Sequence, residues 1–508
     1  MLDGSHTLSA GPPVLGSAVR LKATTLPHSK IPNARRRFPH FSCHLRRAMP
    51  QKWSGWTKLA YARPMNKSKI MNTKHHLSPL KLALIVGSLA LPLITQAEQP
   101  PTNTHPRYKL IDLGTLGGPG SRLEDSSKVL NNAGTVVGEA DTSNPDVQHA
   151  FRWQKGVLTD LGALPGGNFS HPIYINDAGL SVGFSDNGVT DRLTASPEIN
   201  AVLWNKNGEI LNLGTLGGAS SAAVGINNGG QVVGFAANTT PDPFSLLNVF
   251  GNGSGTQTRA FLWENGAMRD LGTLGGPDSV GFYINERGQI AGLSYTDSTP
   301  NDTTGLPTYH PFLWDNGRMF DLGNFGGTFA DIFGLNNRGQ VAGNLALPGD
   351  ELVHPFFWDR GTLTDIGTFG GPTGEARWLN ELGEVVGVAD FPTEGLHNAF
   401  HWKNGVMTDL GNLGKTSVAH SINSKGQIVG GSRISFETGE IRAFLYENGG
   451  PMIDLNTLVP AGSSLKLVFA ESINDRGEIV GAGAPPGVSS GDAFSLGHAF
   501  LLIPVGEE

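Results

Sequence analysis

Residues 259–292 read RAFLWENGAMRDLGTLGGPDSVGFYINERGQIAG, and this stretch decides the fold. An aromatic run ending in Trp263 leads through an Asn265-Gly266 turn to a short run closed by Asp270-Leu271-Gly272. An apolar residue, Asn285, two variable residues and Gly288 follow, and then a last apolar run ending in Gly292. Short runs of β-branched and aromatic residues bounded by Gly and Asn read as strands.

Outward from here the Asn-x-x-Gly signature recurs at Asn131, Asn176, Asn227, Asn285, Asn336, Asn380, Asn423 and Asn474, eight copies spaced 43 to 58 residues apart. The aromatic run recurs as HAFRW at 149–153, HPFLW at 310–314, HPFFW at 354–358 and NAFHW at 398–402, and in weaker form as AVLW at 201–204, RAFLY at 442–446 and HAFLL at 498–502. Each unit holds four strands, a to d, in the length of a propeller blade. The final unit stops at HAFLL without a strand d, whereas YKLIDLG at 108–114 is a strand d with no strand c before it. Pairing the two ends completes one blade and removes an open sheet edge. The expected fold is all-β, an eight-bladed β-propeller of four-stranded blades spanning 108–504 and closed by the N-terminal strand, after a linker at 98–107 and before a tail at 505–508.

These motifs in tandem, with DLGTLGG at 270–276 and INNGGQVVG at 226–234, resemble the HAF-family extracellular repeat over roughly 108–502. The resemblance implies an exported bacterial repeat protein and supplies no catalytic residues. Departures are Ala201-Val202 in the second Ala-Phe position, Asn456 in place of the Gly of DLG, and Tyr446 and Leu502 in the Trp slot. They blur single strands and leave the architecture standing.

Composition agrees. Gly is 70 of 508 residues and charged residues are 16%, which excludes a coiled coil and an acidic disordered chain. The single cysteine, Cys43, excludes an internal disulfide and a multi-cysteine zinc site. Residues 1–97 carry 15 Lys and Arg against Asp3, while 98–508 carry 22 against 43 acids, a net charge of −21, so nucleic acid is not an expected partner. Leu82 to Ile94 is apolar, follows Lys67, Lys69, Lys74 and Lys81, and precedes Thr95-Gln96-Ala97. It is too short for a bilayer span and reads as a signal peptide, 65–97, ending near Ala97. A secreted or periplasmic monomer without a membrane anchor is expected. Residues 1–64 show no hydrophobic periodicity, and Met65 or Met71 gives a conventional signal length, so 1–64 reads as a non-native or disordered upstream extension. A twin-arginine reading of Arg35-Arg36 lacks an apolar stretch nearby.

Much of the repeat is scaffold. Trp153, Trp204, Trp263, Trp314, Trp358 and Trp402 share one slot in strand c and read as packing between sheets rather than a sugar platform. The Asp of DLG reads as a turn residue bonding backbone N–H groups, and Asn-x-x-Gly as the a–b hairpin. Sites are expected elsewhere. The b–c loops range from about 10 residues at 139–148 to about 25 at 235–259, and carry sixteen acids against Arg192, Arg259, Arg433 and Arg442. This reads as a solvated face, a calcium site or a surface for a cationic partner.

Strand a should line the channel. Three positions before each repeated Asn stand Lys128, Ile173, Val224, Phe282, Phe333, Arg377, His420 and Glu471: four apolar neighbours, then four polar ones that are consecutive through the closure. Glu375 should share the side of Arg377, and His171 holds the same place in another unit. Lys128, Glu375, Arg377, His420 and Glu471 are therefore the candidate binding residues, with a channel-plugging ring of salt bridges as the alternative. No nucleophile elbow, HExxH, phosphate loop or paired metal ligands appear, so no catalytic or metal residue is assigned, and calcium is the one cofactor considered. The expected function is a non-catalytic recognition module for a glycan or protein. The alternatives are a carbohydrate-active hydrolase or lyase, with Glu375 and Glu471 as carboxylates and His420 carrying the proton, and a structural envelope or matrix protein.

Overall fold

The computed structural model describes residues 107–125, 127–191, 197–246 and 255–506; Met65, the apolar stretch Leu82 to Ile94, Ala97 and Arg192 lie outside them. Eight antiparallel four-stranded sheets form the blades of a propeller ring, each with the order a-b-c-d. Blade 4 is typical, with Ser279–Ile284, Ile290–Pro300, Pro307–Asp315 and Arg318–Asp321. In blade 8 the N-terminal strand Tyr108–Asp112 pairs with His498–Pro504, outside Ile479–Ala484 and Lys466–Ile473. Where Asn456 replaces Gly, strand d of blade 7 shrinks to Ile453–Asp454 and runs into a 3-10 turn at Leu455–Thr457. Among the described residues no helix is long and apolar enough to cross a membrane.

The repeated Asn does more than shape a hairpin. Its Oδ1 accepts the backbone N–H four residues on, as in Asn285 to Gln289 at 3.0 Å. Its Nδ2 then reaches into the next blade and donates to the backbone carbonyl of the next repeated Asn. Asn131 donates to Asn176, then Asn176 to Asn227, and so on around the ring until Asn474 donates to Asn131 at 3.1 Å. Eight buried amides thus form a closed hydrogen-bonded circle, satisfying carbonyls that burial would otherwise make costly.

In blades 2 to 8 the inner strand carries a bulge three residues before this Asn, at Ile173, Val224, Phe282, Phe333, Arg377, His420 and Glu471. An extra residue bends the strand and re-aims its neighbours. The Gly that ends strand b's apolar run answers it. At Gly292 a Cβ would collide with the Val280 carbonyl and lie 2.7 Å from Phe312 Cζ, and in six blades the Phe ring of the aromatic run covers this Gly. Glycine is required there because backbone and ring already fill the space.

The first residue of the aromatic run faces the Asp of DLG on strand d. His149 meets Asp160, His310 meets Asp321 and His354 meets Asp365, each near 3.0 Å, and Asn398 meets Asp409. The same pair locks the closure, where His498 Nδ1 lies 3.0 Å from both oxygens of Asp112. As expected, the DLG Asp also accepts the N–H two residues on, for example Gly323 on Asp321. Trp204 is wholly buried and donates to the Leu161 carbonyl of blade 1, and Trp402 packs on Phe357 of blade 5 at 4.8 Å between ring centres, so this slot is inter-sheet packing.

One expectation needs correction. In blades 2, 3 and 4 much of the long b–c loop is strand, since strand b runs on through Thr190, Pro241 and Pro300 and re-pairs with strand c at Pro197, Thr256 and Pro307. These arms are exposed, but several of the acids assigned to loops are buried and engaged. Asp186 accepts the N–H groups of Asn168 and Phe169, and Glu139 and Asp141 bind Arg122. Buried carboxylates survive because they are paired.

Candidate functional site

The apolar half of the channel wall forms as expected. Ile173, Val224 and Phe282 belong to one core cluster across blades 2 to 5, and Phe333 is buried beneath the Arg377 guanidinium, 5.9 Å from its ring centre. The polar half is built differently from the sequence expectation. In blade 1 the inner strand is interrupted: Arg122 pairs with Glu139 and Leu130 with Val136, leaving seven residues between them where blade 2 has three, from His171 to Ile175. The four additional residues form an excursion that brings Glu124 and Asp125 to the channel groups of other blades.

Glu124 engages His171. The imidazole is clamped between Glu124 Oε2 at 2.8 Å on Nε2 and Glu139 Oε2 at 2.7 Å on Nδ1, and all three side chains are buried. Burial opposes protonation of His171, but the charge of Glu139 and the bonds to both carboxylates outweigh it and raise its pKa to about 10. Arg122 continues the chain to Glu139 and Asp141, and donates to the Ser495 carbonyl in the b–c connection of blade 8.

Asp125 lies among the expected residues. His420 Nδ1 is 2.6 Å from Glu471 Oε2, Arg377 donates to Glu375 at 2.8 Å, and Arg377 stands 3.6 Å from Asp125. His420 stacks nearly parallel on Phe469, with ring centres 6.2 Å apart. Burial lowers the His420 pKa, but Glu471, then Asp125, overcome this and leave it raised. Asp390 is pushed up to about 6, first by burial and then by the charge of Glu375. One donor atom each from Asp125, His420 and Glu471 lies within 4.8 Å of the others.

The structure therefore gathers Glu375, Arg377, His420 and Glu471, and separates Lys128 from them. Lys128 follows the blade 1 excursion and its Nζ bonds Asp177, on the a–b turn of blade 2, at 3.1 Å. Sequence reasoning missed Glu124, Asp125 and Glu139 as site residues. A signal existed: the Gly of DLG precedes the repeated Asn by 17 residues in the first unit, from Gly114 to Asn131, and by 12 to 14 in the next six. A cleft of about 920 Å³ lies at the rim between blades 4 and 5, lined by Phe320, Arg338 and Trp358 and remote from this cluster.

No protein-family model matches the chain, and no curated protein matches it. Among solved structures it is similar to the β-propeller domain of the Trilobed protease from Pyrococcus furiosus, at 12% identity and a TM-score of 0.37, covering 56% of this chain and 80% of that one. It is also similar to the acylaminoacyl peptidase of Pyrococcus horikoshii, at 11% identity and a TM-score of 0.37, over 66% of this chain and 52% of that one. TolB from Acinetobacter baumannii shares 12% identity at a TM-score of 0.32, over 79% and 97% of the two chains.

Proposed function

We propose that this propeller is an exported, non-catalytic binding module of the HAF-repeat kind, which meets a glycan or protein through the face bearing the b–c arms. The observation that carries the reading is the contrast between the channel and that face. In the channel Glu471 is bonded to His420 and Glu375 to Arg377, and His171 is enclosed by two carboxylates, so the polar groups serve one another. On the face, the outer ends of strand b in the arms of blades 2, 3 and 4, at 188–190, 239–241 and 297–300, are exposed and carry one charge among them, Asp297. Variable polar segments on a rigid scaffold suit recognition of hydroxyl-rich or peptide surfaces.

The hydrolase reading is not favoured by this geometry, because its two candidate carboxylates are committed to cationic neighbours. Export rests on the basic and apolar leader, and N-terminal sequencing of the mature protein should begin just after Ala97. The binding reading is tested by the thermal unfolding midpoint of the chain against a panel of soluble polysaccharides. A ligand at about 100 times its Kd stabilises by roughly 2.7 kcal/mol. Replacing the three arm tips by Gly-Ser turns should abolish any such rise; a rise that survives the replacement would remove the arms from the proposal.

A further inference from the structure

We infer that Asp125, His420 and Glu471 form a binding site for one divalent transition-metal ion inside the channel. The three residues arrive from separate blades. Asp125 sits on the four-residue excursion of blade 1, while His420 and Glu471 are the bulge residues of blades 7 and 8, so the site exists only where the ring closes. Their donor atoms lie within 4.8 Å of one another; bonds of about 2.0–2.2 Å to a tetrahedral ion put donors about 3.3–3.6 Å apart, so the widest pair closes by up to about 1.5 Å on binding.

The donor set chooses the class of ion. Two carboxylates and one imidazole suit Zn²⁺ or Mn²⁺, whereas Ca²⁺ and Mg²⁺ prefer oxygen alone. The imidazole is held in place because Phe469 stacks on it and the ring is nine-tenths buried, and an ion would replace the proton that now joins Nδ1 to Glu471. Charge balance gives a second reason. The carboxyl groups of Asp125, Glu375 and Glu471 stand beside Arg377 and His420 in this part of the channel, three acids against two bases. The site does not depend on the loop-face ligand, and a chain that binds no glycan or protein would still hold the ion.

Calorimetric titration of the full chain with Zn²⁺, Mn²⁺ and Ca²⁺ after chelator treatment, with metal content read by elemental analysis, tests the site. The expected result is one Zn²⁺ or Mn²⁺ per chain, bound at least tenfold more tightly than Ca²⁺. Asp125→Asn and Glu471→Gln should each weaken it a hundredfold or more, while Lys128→Ala leaves it unchanged. Asp125 lies on a half-buried excursion outside the blade ladders, so Asp125→Asn keeps the test valid if Glu471→Gln fails to fold. No stoichiometric binding at 100 micromolar ion, or binding undiminished in Asp125→Asn, would overturn the site.

Discussion

Replacing Asn474 by Ala tests the closed ring at the place where an open array would be weakest. Asn474 Oδ1 accepts the backbone N–H groups of Arg476 and Glu478, both at 3.0 Å, and its Nδ2 donates to the Asn131 carbonyl at 3.1 Å, joining residues 343 positions apart. Three backbone partners, two of them buried, lose a hydrogen bond at about 1 kcal/mol each, a carbonyl left without its donor adds up to about 1 more, and the Glu478 carboxylate that Nδ2 also touches keeps Arg476, so the cost is about 3 to 4 kcal/mol. Asn285 makes the same three contacts in mid-ring, to Arg287, Gln289 and Asn336. In a closed circle the two positions match except that Nδ2 also bonds the Glu478 carboxylate at Asn474 and the Gln289 amide at Asn285, and Asn285→Ala should cost the same within about 1 kcal/mol. Urea unfolding of both variants supplies the comparison, with an unchanged slope licensing the midpoint shift as a stability change. A cost below about 1 kcal/mol for Asn474→Ala beside about 3 for Asn285→Ala would refute the reasoning, because it would show an end that frays freely.

The closing His498–Asp112 pair should titrate. The His498 pKa is raised, first by its bond to Asp112, so its stabilisation is full below about pH 6.5 and fades as pH rises through the raised value; the stability gap between the parent and His498→Asn should be widest near pH 6 and shrink by pH 9, and a constant gap would contradict it. Asp278 is buried against the N–H groups of Leu246 and Thr258, and burial, then Asp242, raise its pKa to about 8, so its contribution is full below about pH 4 and declines as pH climbs towards 8. Asp242→Asn removes the neighbouring charge and should flatten that decline in a pH series of melting temperatures; an unaltered slope would exclude the pair as its cause. Gly292→Ala should cost more than about 3 kcal/mol in urea unfolding, since a Cβ there meets the Val280 carbonyl and the Phe312 ring, whereas Gly317→Ala, with open space around it but φ near 90°, should cost only about 1 kcal/mol. Similar costs at both glycines would remove the packing argument.

The period of the repeat, its four strands and the complementary ends were legible in the chain, because each is written in local chemistry. Asn-x-x-Gly demands a tight turn, alternating aromatic and β-branched residues demand a pleated strand, and a lone strand d at one end answers a missing one at the other. The halves of the channel wall were legible too, since counting back from a repeated turn locates residues on the inner strand: Phe282 and Phe333 lie on one side, Arg377, His420 and Glu471 on the other. What counting could not deliver was which blade's side chain reaches which. Lys128 occupies the counted position but bonds Asp177, because the excursion before it breaks the register on which the count depends. Asp125 and Glu124 sit at no repeated position; packing against the adjacent blade sets Glu124 beside His171, 47 residues on, and the ring's closure sets Asp125 beside His420. Local motifs determine strands because backbone geometry and hydrogen bonding act over a few residues. The charged cluster belongs to the tertiary structure, because its members share space only after eight separately encoded sheets have been bent into one circle.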